Sequence, residues 1–234
     1  VENKKLTKKK IAIIIPVRGK QFDNTCLSME KLSGKKLLFY TIDQAINYKF
    51  DKKIILNTSD TDIIKSVKNR YKSKINIYKR NKKFSFENTD MKNSIIKSVD
   101  KFCKKSPDLI VVLAFQNPLR ESFYIEKAIN TMLLNSTKSL YSVKRDNKNN
   151  YFFYGRRGLR PTRSNYEMKL EREVIYLQRG GISVFDYKEY KKSKKISKEY
   201  VGHILVDDES SFEINSFFDL KICEQIINKK LKYN

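Results

Sequence analysis

Ile11 to Gly19 constrains this chain more than any other stretch. Ile11, Ala12, Ile13, Ile14 and Ile15 are apolar without alternation, which predicts a strand covered on both faces. Pro16 breaks the run, and Val17, Arg18, Gly19 and Lys20 follow. A glycine and two cations thus arrive at the carboxyl end of a buried strand. α/β proteins hold phosphates at such exits, because backbone N–H groups and cations converge where the strand stops.

The following segments repeat the pattern. Leu37, Leu38, Thr41, Ile42, Ala45 and Ile46 recur at helical spacing after the turn signal Ser33-Gly34. Ile54 to Leu56 reads as a short buried strand ending in Asn57 to Asp60, and Ile63, Ile64, Val67 and Tyr71 mark a helix. Ile75, Ile77 and Tyr78 form the next strand, and Ile95, Ile96, Val99 and Phe102 the next helix. Leu109 to Phe115 is the strongest strand, predicted to be central, and a helix with Ile125, Ala128, Ile129, Met132 and Leu133 follows it. Strands alternating with helices predict an α/β fold: a doubly wound, mostly parallel Rossmann-like sheet with its site along the carboxyl ends of the strands.

After Ser139 the rhythm changes. Leu140 to Val143 is a strand, but Lys144 to Arg172 lacks helical periodicity, and alternation around Tyr151, Phe153, Val174 and Tyr176 predicts a hairpin. We read 144–179 as an inserted arm that contacts a second copy in a homodimer, within a single domain spanning 1–234. Gly180 to Phe185 returns to the core, a lysine-rich helix or loop runs to about Lys198, and Phe212 to Ser216 leads into a last helix with Phe217 to Ile227.

A length of 234 residues with 40% apolar content suffices for one sizeable core. No apolar run approaches the roughly 20 residues of a membrane span, and Val1 to Lys10 is polar, so a cytoplasmic protein without membrane association is expected. Three widely spaced cysteines and a single histidine argue against a disulfide framework and a Cys/His zinc centre. The formal charge of +24 comes from lysine spread through nearly every segment. A nucleic-acid binder would concentrate it on one face with interleaved aromatics, so nucleic acid is the lesser alternative, and the field suits small polyanions such as nucleotides.

Four motifs, in order, resemble the acylneuraminate cytidylyltransferase family, which includes the CMP-sialic acid, CMP-pseudaminic or legionaminic acid, and CMP-Kdo synthetases. They are residues 11 to 19, Leu32-Ser33-Gly34-Lys35 with Leu37 to Thr41, Pro118-Leu119-Arg120, and Phe212-Glu213-Ile214-Asn215 before Asp219-Leu220. The resemblance spans about residues 10 to 230. It implies a nucleotidyltransferase in which the anomeric hydroxyl of a 2-keto sugar acid attacks the α-phosphate of CTP, with Mg²⁺, releasing pyrophosphate for surface glycan synthesis.

The resemblance also implies residue roles. Arg18 and Gly19 match the start of the family's Arg-Gly-Gly-Ser-Lys phosphate loop, while Lys20, Gln21 and Phe22 depart from it. Leu27 and Ser28 stand where active members carry a phosphate-contacting Lys-Asn pair, and Lys20 or Lys31 is the substitute cation the loop offers. Asn57 to Asp60 and Arg80, with Asn88, Asp90 and the neighbouring Thr89 and Asn93, match regions lining the nucleotide site; helix capping is the competing role for Asn88 and Asp90. Ala114 replaces the family's substrate-contacting glutamine, leaving Gln116 and Asn117 to present amides to the substrate, with Arg120 as a structural residue of the turn. Arg163, in a run with Arg156, Arg157 and Arg160, and Gln178 or Arg179 correspond to sugar-acid contacts, since arginine's planar fork suits a carboxylate. Glu213 and Asn215 replace the metal-binding Asp-Ile-Asp pair, and Asp219 sits at a helix start. The departures at Leu27, Ala114 and Asn215 keep open two alternatives, a different acceptor such as a phosphorylated one, or a non-catalytic nucleotide-binding homologue.

Overall fold

A computed structural model describes residues 9–49, 51–85, 90–146, 152–156, 158–161, 174–192 and 201–233. Seven strands form one sheet in the spatial order β5(Asn76–Lys79), β4(Lys52–Thr58), β1(Ile11–Pro16), β6(Leu109–Leu113), β10(Ile175–Asp186), β7(Ser139–Asp146) and β11(Gly202–Leu205). Four neighbouring pairs are parallel, and only β10 runs antiparallel to both of its neighbours. The mostly parallel, doubly wound sheet expected from the sequence is therefore present. Two small ribbons accompany it, β2(Lys31–Leu32) with β3(Lys35–Lys36), and β8(Phe152–Gly155) with β9(Gly158–Pro161).

Side-chain alternation along β1 divides the core. Ile11, Ile13 and Ile15 join the larger apolar cluster with α1(Leu37–Asn47), α2(Thr61–Tyr71), α4(Phe123–Leu134) and α6(Phe217–Tyr233), whereas Ala12 and Ile14 join a smaller one with Ile95 and Val99 of α3(Lys92–Phe102) and Tyr187 of α5(Tyr187–Lys192). All five β1 residues are almost completely buried, and each isoleucine side chain contributes about 2 kcal/mol through apolar burial. This two-sided burial is why the run has no polar alternation.

Chain order fixes where a ligand can enter. From β1 the chain winds outward through β4 to β5, then crosses back to place β6 on the other side of β1. The connections at the carboxyl ends of β1 and β6 diverge at this switch point and leave a crevice. Strand β11, which the sequence reading left unassigned, adds a parallel edge beside β7. The arm expected at 144–179 is described at the end of β7, at β8 and β9 and at the start of β10; its remaining residues lie outside the described set.

Candidate functional site

The crevice begins where β1 ends. Val17 continues the ladder by donating its N–H to the Asn57 carbonyl, 3.0 Å. The chain then turns at Gly19, whose φ is +82°. A Cβ added there would lie 2.1 Å from Asp60 Oδ2, so both the left-handed backbone and the close approach require glycine. Asp60 is the N-cap of α2 and accepts from Asp62 N and Ile63 N at 2.9 and 3.1 Å. The loop is thus seated against a helix start, and Arg18 lines the cavity beyond.

Arg80, just past β5, is 2% exposed and lines the same cavity. It donates to Ser85 Oγ at 2.9 Å and to the Val17 carbonyl at 3.0 Å, which ties it to the β1 exit. Burial, and secondarily the positive Arg18, pull its pKa down to about 10. No ion pair engages Arg18 or Arg80 among the described residues. Two guanidiniums therefore face one cavity with no carboxylate holding either, an arrangement that favours an anion.

This cavity has a volume of about 430 Å³. Gln116 from the β6 exit, Gln178 from β10 and Asn215 line it on the polar side, while Cys26, Leu27, Ala114, Phe115 and Ile214 form an apolar wall. A second cavity of about 490 Å³ shares Asn215 and is lined by Lys144, Arg145, Arg179, Asp208, Glu213 and Asp219, among others. The two cavities place a cationic pocket and a mixed-charge cleft side by side.

A distortion in β10 creates the wall between them. Its register against β7 shifts between Gln178 and Ser183, and Gly180 and Gly181 have φ of +82° and +61°. Gln178 lines the first cavity and Arg179 the second. A Cβ at Gly181 would meet Asn117 Oδ1 at 2.4 Å and Ala114 Cβ at 2.8 Å. Arg120 locks the bulge from behind. Its Nη1 donates to the carbonyls of Gly180 at 2.9 Å, Gly181 at 3.0 Å and Ala114 at 3.3 Å, and its Nη2 to Gln44 Oε1 at 2.9 Å. Burial brings the pKa of this guanidinium down to about 9.

The segment with Glu213 and Asn215 is stitched to the β6 exit. Ile214 N donates to the Gln116 carbonyl, 2.9 Å, and Asn117 Nδ2 donates to the Phe212 carbonyl, 3.0 Å. Ile214 is 1% exposed, and the side chains of Glu213 and Asn215 are joined by a hydrogen bond and both line the second cavity. Arg179 Nη1 donates to Glu213 Oε2 at 2.6 Å. Burial raises the Glu213 carboxyl above its ordinary value, against the opposing pull of Arg179 and of a hydrogen bond from Asn215. Asp219 Oδ2 accepts from Asn215 N and Ser216 N at 3.0 and 2.9 Å, the helix-start role expected of it.

Among the described residues no group of three or more His, Cys, Asp or Glu side chains is close enough to hold a metal ion. The donor set nonetheless fits Mg²⁺, which takes oxygen ligands and uses one or two carboxylates alongside substrate phosphates. Glu213 supplies one carboxylate and Asn215 one amide oxygen, on the same side of the segment and beside the cationic cavity.

Several residues expected at the site stand elsewhere. Lys20 forms an ion pair with Glu30 and does not line the cavity, because a nearer carboxylate captures its ammonium. Asn117 is fully buried, and its side chain bonds backbone instead of facing the cavity. Asp90 accepts from Lys92 N, 2.8 Å, one residue ahead of Met91, the N-cap of α3, and does not line the cavity. Asn57 to Asp60 are buried under the loop and brace it without lining the cavity. Asn88 and Arg163 lie outside the described residues. The seating of Gly19 on Asp60 and the hydrogen bonds from Arg120 to Gly180 and Gly181 are contacts the sequence reading did not anticipate.

No family model matches the chain. It is 23% identical over 211 residues to post-translational flagellin modification protein B of Campylobacter coli, covering 87% of this chain and 88% of that protein. Its structure superposes on 4-diphosphocytidyl-2C-methyl-D-erythritol synthase of Anaerococcus prevotii with a TM-score of 0.69 at 19% identity, over 95% and 98% of the two chains. It superposes on CMP:2-keto-3-deoxy-manno-octonic acid synthetase, solved with CTP, with a TM-score of 0.68 at 12% identity, over 94% and 99%. The chain thus shares the fold of these two structures, a mostly parallel Rossmann-like sheet flanked by helices.

Proposed function

We propose that this protein is a cytidylyltransferase that joins CMP from CTP to a 2-keto sugar acid and releases pyrophosphate. The observation that carries this is the pair Arg18 and Arg80, two guanidiniums in the switch-point crevice that no ion pair engages among the described residues. The relatives support it, being a flagellin-modification protein and two enzymes that make cytidylyl products.

The residues divide the work. Arg18 and Arg80 hold the triphosphate and neutralise charge that develops as the α-phosphorus is attacked. Gln116 and Gln178 offer amides to base or sugar, and Arg179 offers a guanidinium to the acceptor's carboxylate. The sugar's anomeric oxygen forms a bond to the α-phosphorus, the bond from that phosphorus to the bridging oxygen breaks, and the hydroxyl proton passes to solvent. Glu213 and Asn215 would hold Mg²⁺, which supplies further neutralisation of the phosphates. The enzyme acts in the cytoplasm as a homodimer joined through the 144–179 arm, where Tyr154, Val174 and Tyr176 are exposed.

The test is pyrophosphate release from CTP, UTP, GTP and ATP with Mg²⁺ and a panel of 2-keto sugar acids. CTP-dependent release with Kdo or a nonulosonic acid is expected. A folded protein that releases none with any of them overturns the activity. A second reading, transfer to a different acceptor such as a phosphorylated one, is favoured by Leu27 and Ala114, which make apolar a wall where the resemblance implies lysine and glutamine. Release with a phosphorylated acceptor alone would select it. Light scattering in solution tests the dimer.

A further inference from the structure

The metal-binding residues and the acceptor-binding arginine are bonded to each other. We propose that Arg179 locks the Glu213 carboxylate away from a divalent cation, and that a carboxylate-bearing acceptor, by taking over the Arg179 guanidinium, releases Glu213 to bind the ion. The inference rests on the reading of the chain as a nucleotidyltransferase for sugar acids, and adds to it the order in which the site is assembled.

Three observations support the exchange. The pair is monodentate, one bond from Arg179 Nη1 to Glu213 Oε2 at 2.6 Å. A guanidinium bonds a carboxylate best through two parallel N–H groups, so a ligand carboxylate that engages both outcompetes Glu213. The pair is also reachable, since the side chain of Arg179 is 44% exposed and that of Glu213 22%, and both line the 490 Å³ cavity. Finally, Glu213 keeps a partner once released. Its bond with Asn215 is independent of Arg179, and Asn215 lines both cavities, so the freed carboxylate stands next to the amide with which it would share an ion.

The other charged groups of this cavity that are paired are committed elsewhere. Lys144 is bonded to Asp208 at 2.8 Å, and Asp219 accepts from the backbone at the start of α6. Arg179 is the cation paired with Glu213 among the described residues. Coupling of this kind is reciprocal: whatever factor the acceptor adds to cation affinity, the cation adds to acceptor affinity. The expected behaviour is ordered assembly, in which an ion is held weakly until the acceptor arrives, which limits attack on CTP by water.

The experiment measures Mn²⁺ binding to the full chain by electron paramagnetic resonance, without CTP and without turnover. R179M should bind Mn²⁺ about twofold more tightly than the wild type, the scale expected when a partly exposed ion pair no longer competes. The double variant R179M/E213Q should lose that gain. K144M, which removes a charge from the same cavity, should leave Mn²⁺ affinity unchanged. Adding Kdo or N-acetylneuraminic acid, whichever supports pyrophosphate release, should tighten Mn²⁺ binding to the wild type and leave R179M unaffected. Equal or weaker binding by R179M overturns the lock, as does a gain that survives E213Q or is reproduced by K144M. A sugar acid that supports pyrophosphate release but leaves wild-type Mn²⁺ affinity unchanged overturns the exchange while the activity stands. The expected Mn²⁺ pattern in R179M and its double variant, without pyrophosphate release from any sugar acid, overturns the activity while the lock stands.

Discussion

The two ends of the cleft solve the same problem in opposite ways. At the β1 end, Arg18 and Arg80 face the cavity with no carboxylate on either. At the β10 end two ion pairs line the cavity, Arg179 with Glu213 and Lys144 with Asp208, alongside Arg145 and Asp219. The first end is preorganised for an anion and gives up nothing when one binds. The second is already satisfied, so a ligand there must exchange partners. A highly basic chain can therefore hold a strong binding site at one end of a cleft and a conditional one at the other.

The largest effect is expected at the unpaired end. Arg18→Ala should lower CTP turnover about a hundredfold, the scale of losing one well-placed charged donor in a transition state, measured as pyrophosphate release. A loss below tenfold would place the two ends on the same footing and break the contrast. Next comes the wall that separates them. Gly181→Ala should cost about 2–4 kcal/mol of stability in denaturant titration, because its Cβ would overlap Asn117 and Ala114 at a positive φ. A neutral result would mean that the bulge is not the rigid divider.

The matched end carries carboxylates, so acid should weaken it. Asp207, in the loop before Asp208, is held below its ordinary pKa: although burial raises it, bonds from Ser210 N, Tyr124 Oη and Ser210 Oγ win. A depressed carboxylate stabilises the fold above the ordinary aspartate range and loses that contribution as pH falls through its folded value. Asp207→Asn should cost about 1 kcal/mol near neutrality, the scale of a lost hydrogen bond. The gap in melting temperature between variant and wild type should close in acid. The smallest effect belongs to the Arg179–Glu213 pair. Arg179→Met should change stability by less than about 0.5 kcal/mol, as for other partly exposed pairs. A large loss would mean that the pair is architectural instead of exchangeable.

Much of the fold was legible because burial writes itself into residue type. The unbroken Ile11 to Ile15 run and Leu109 to Leu113 lie next to each other at the centre of the sheet, and helical periodicity located α1 through α4. Strand β11 escaped because Gly202 to Leu205 is four residues long and alternates between buried and exposed at an edge. At the site, Arg18, expected from its place just past a buried strand, and Arg80, expected from the resemblance, both line the cavity. The place of Lys20 was not readable, because its partner Glu30 is ten residues away and chosen by loop shape. Asn117 was misread for the related reason that its acceptor is the carbonyl of Phe212, 95 positions later. Pairings across such distances leave no periodic trace in the sequence.

Arg120 carries one more consequence. Its charge is sealed behind the cleft, with hydrogen bonds from its guanidinium to neutral oxygens of Ala114, Gly180, Gly181 and Gln44, so three guanidiniums surround the β1 and β6 exits and none is held in an ion pair among the described residues. A bound polyanion is then the missing counter-ion of the fold as well as its ligand. Any polyphosphate seated there, inorganic pyrophosphate included, relieves the repulsion and raises the melting temperature, which makes the product of the reaction a natural competitor for the site that releases it.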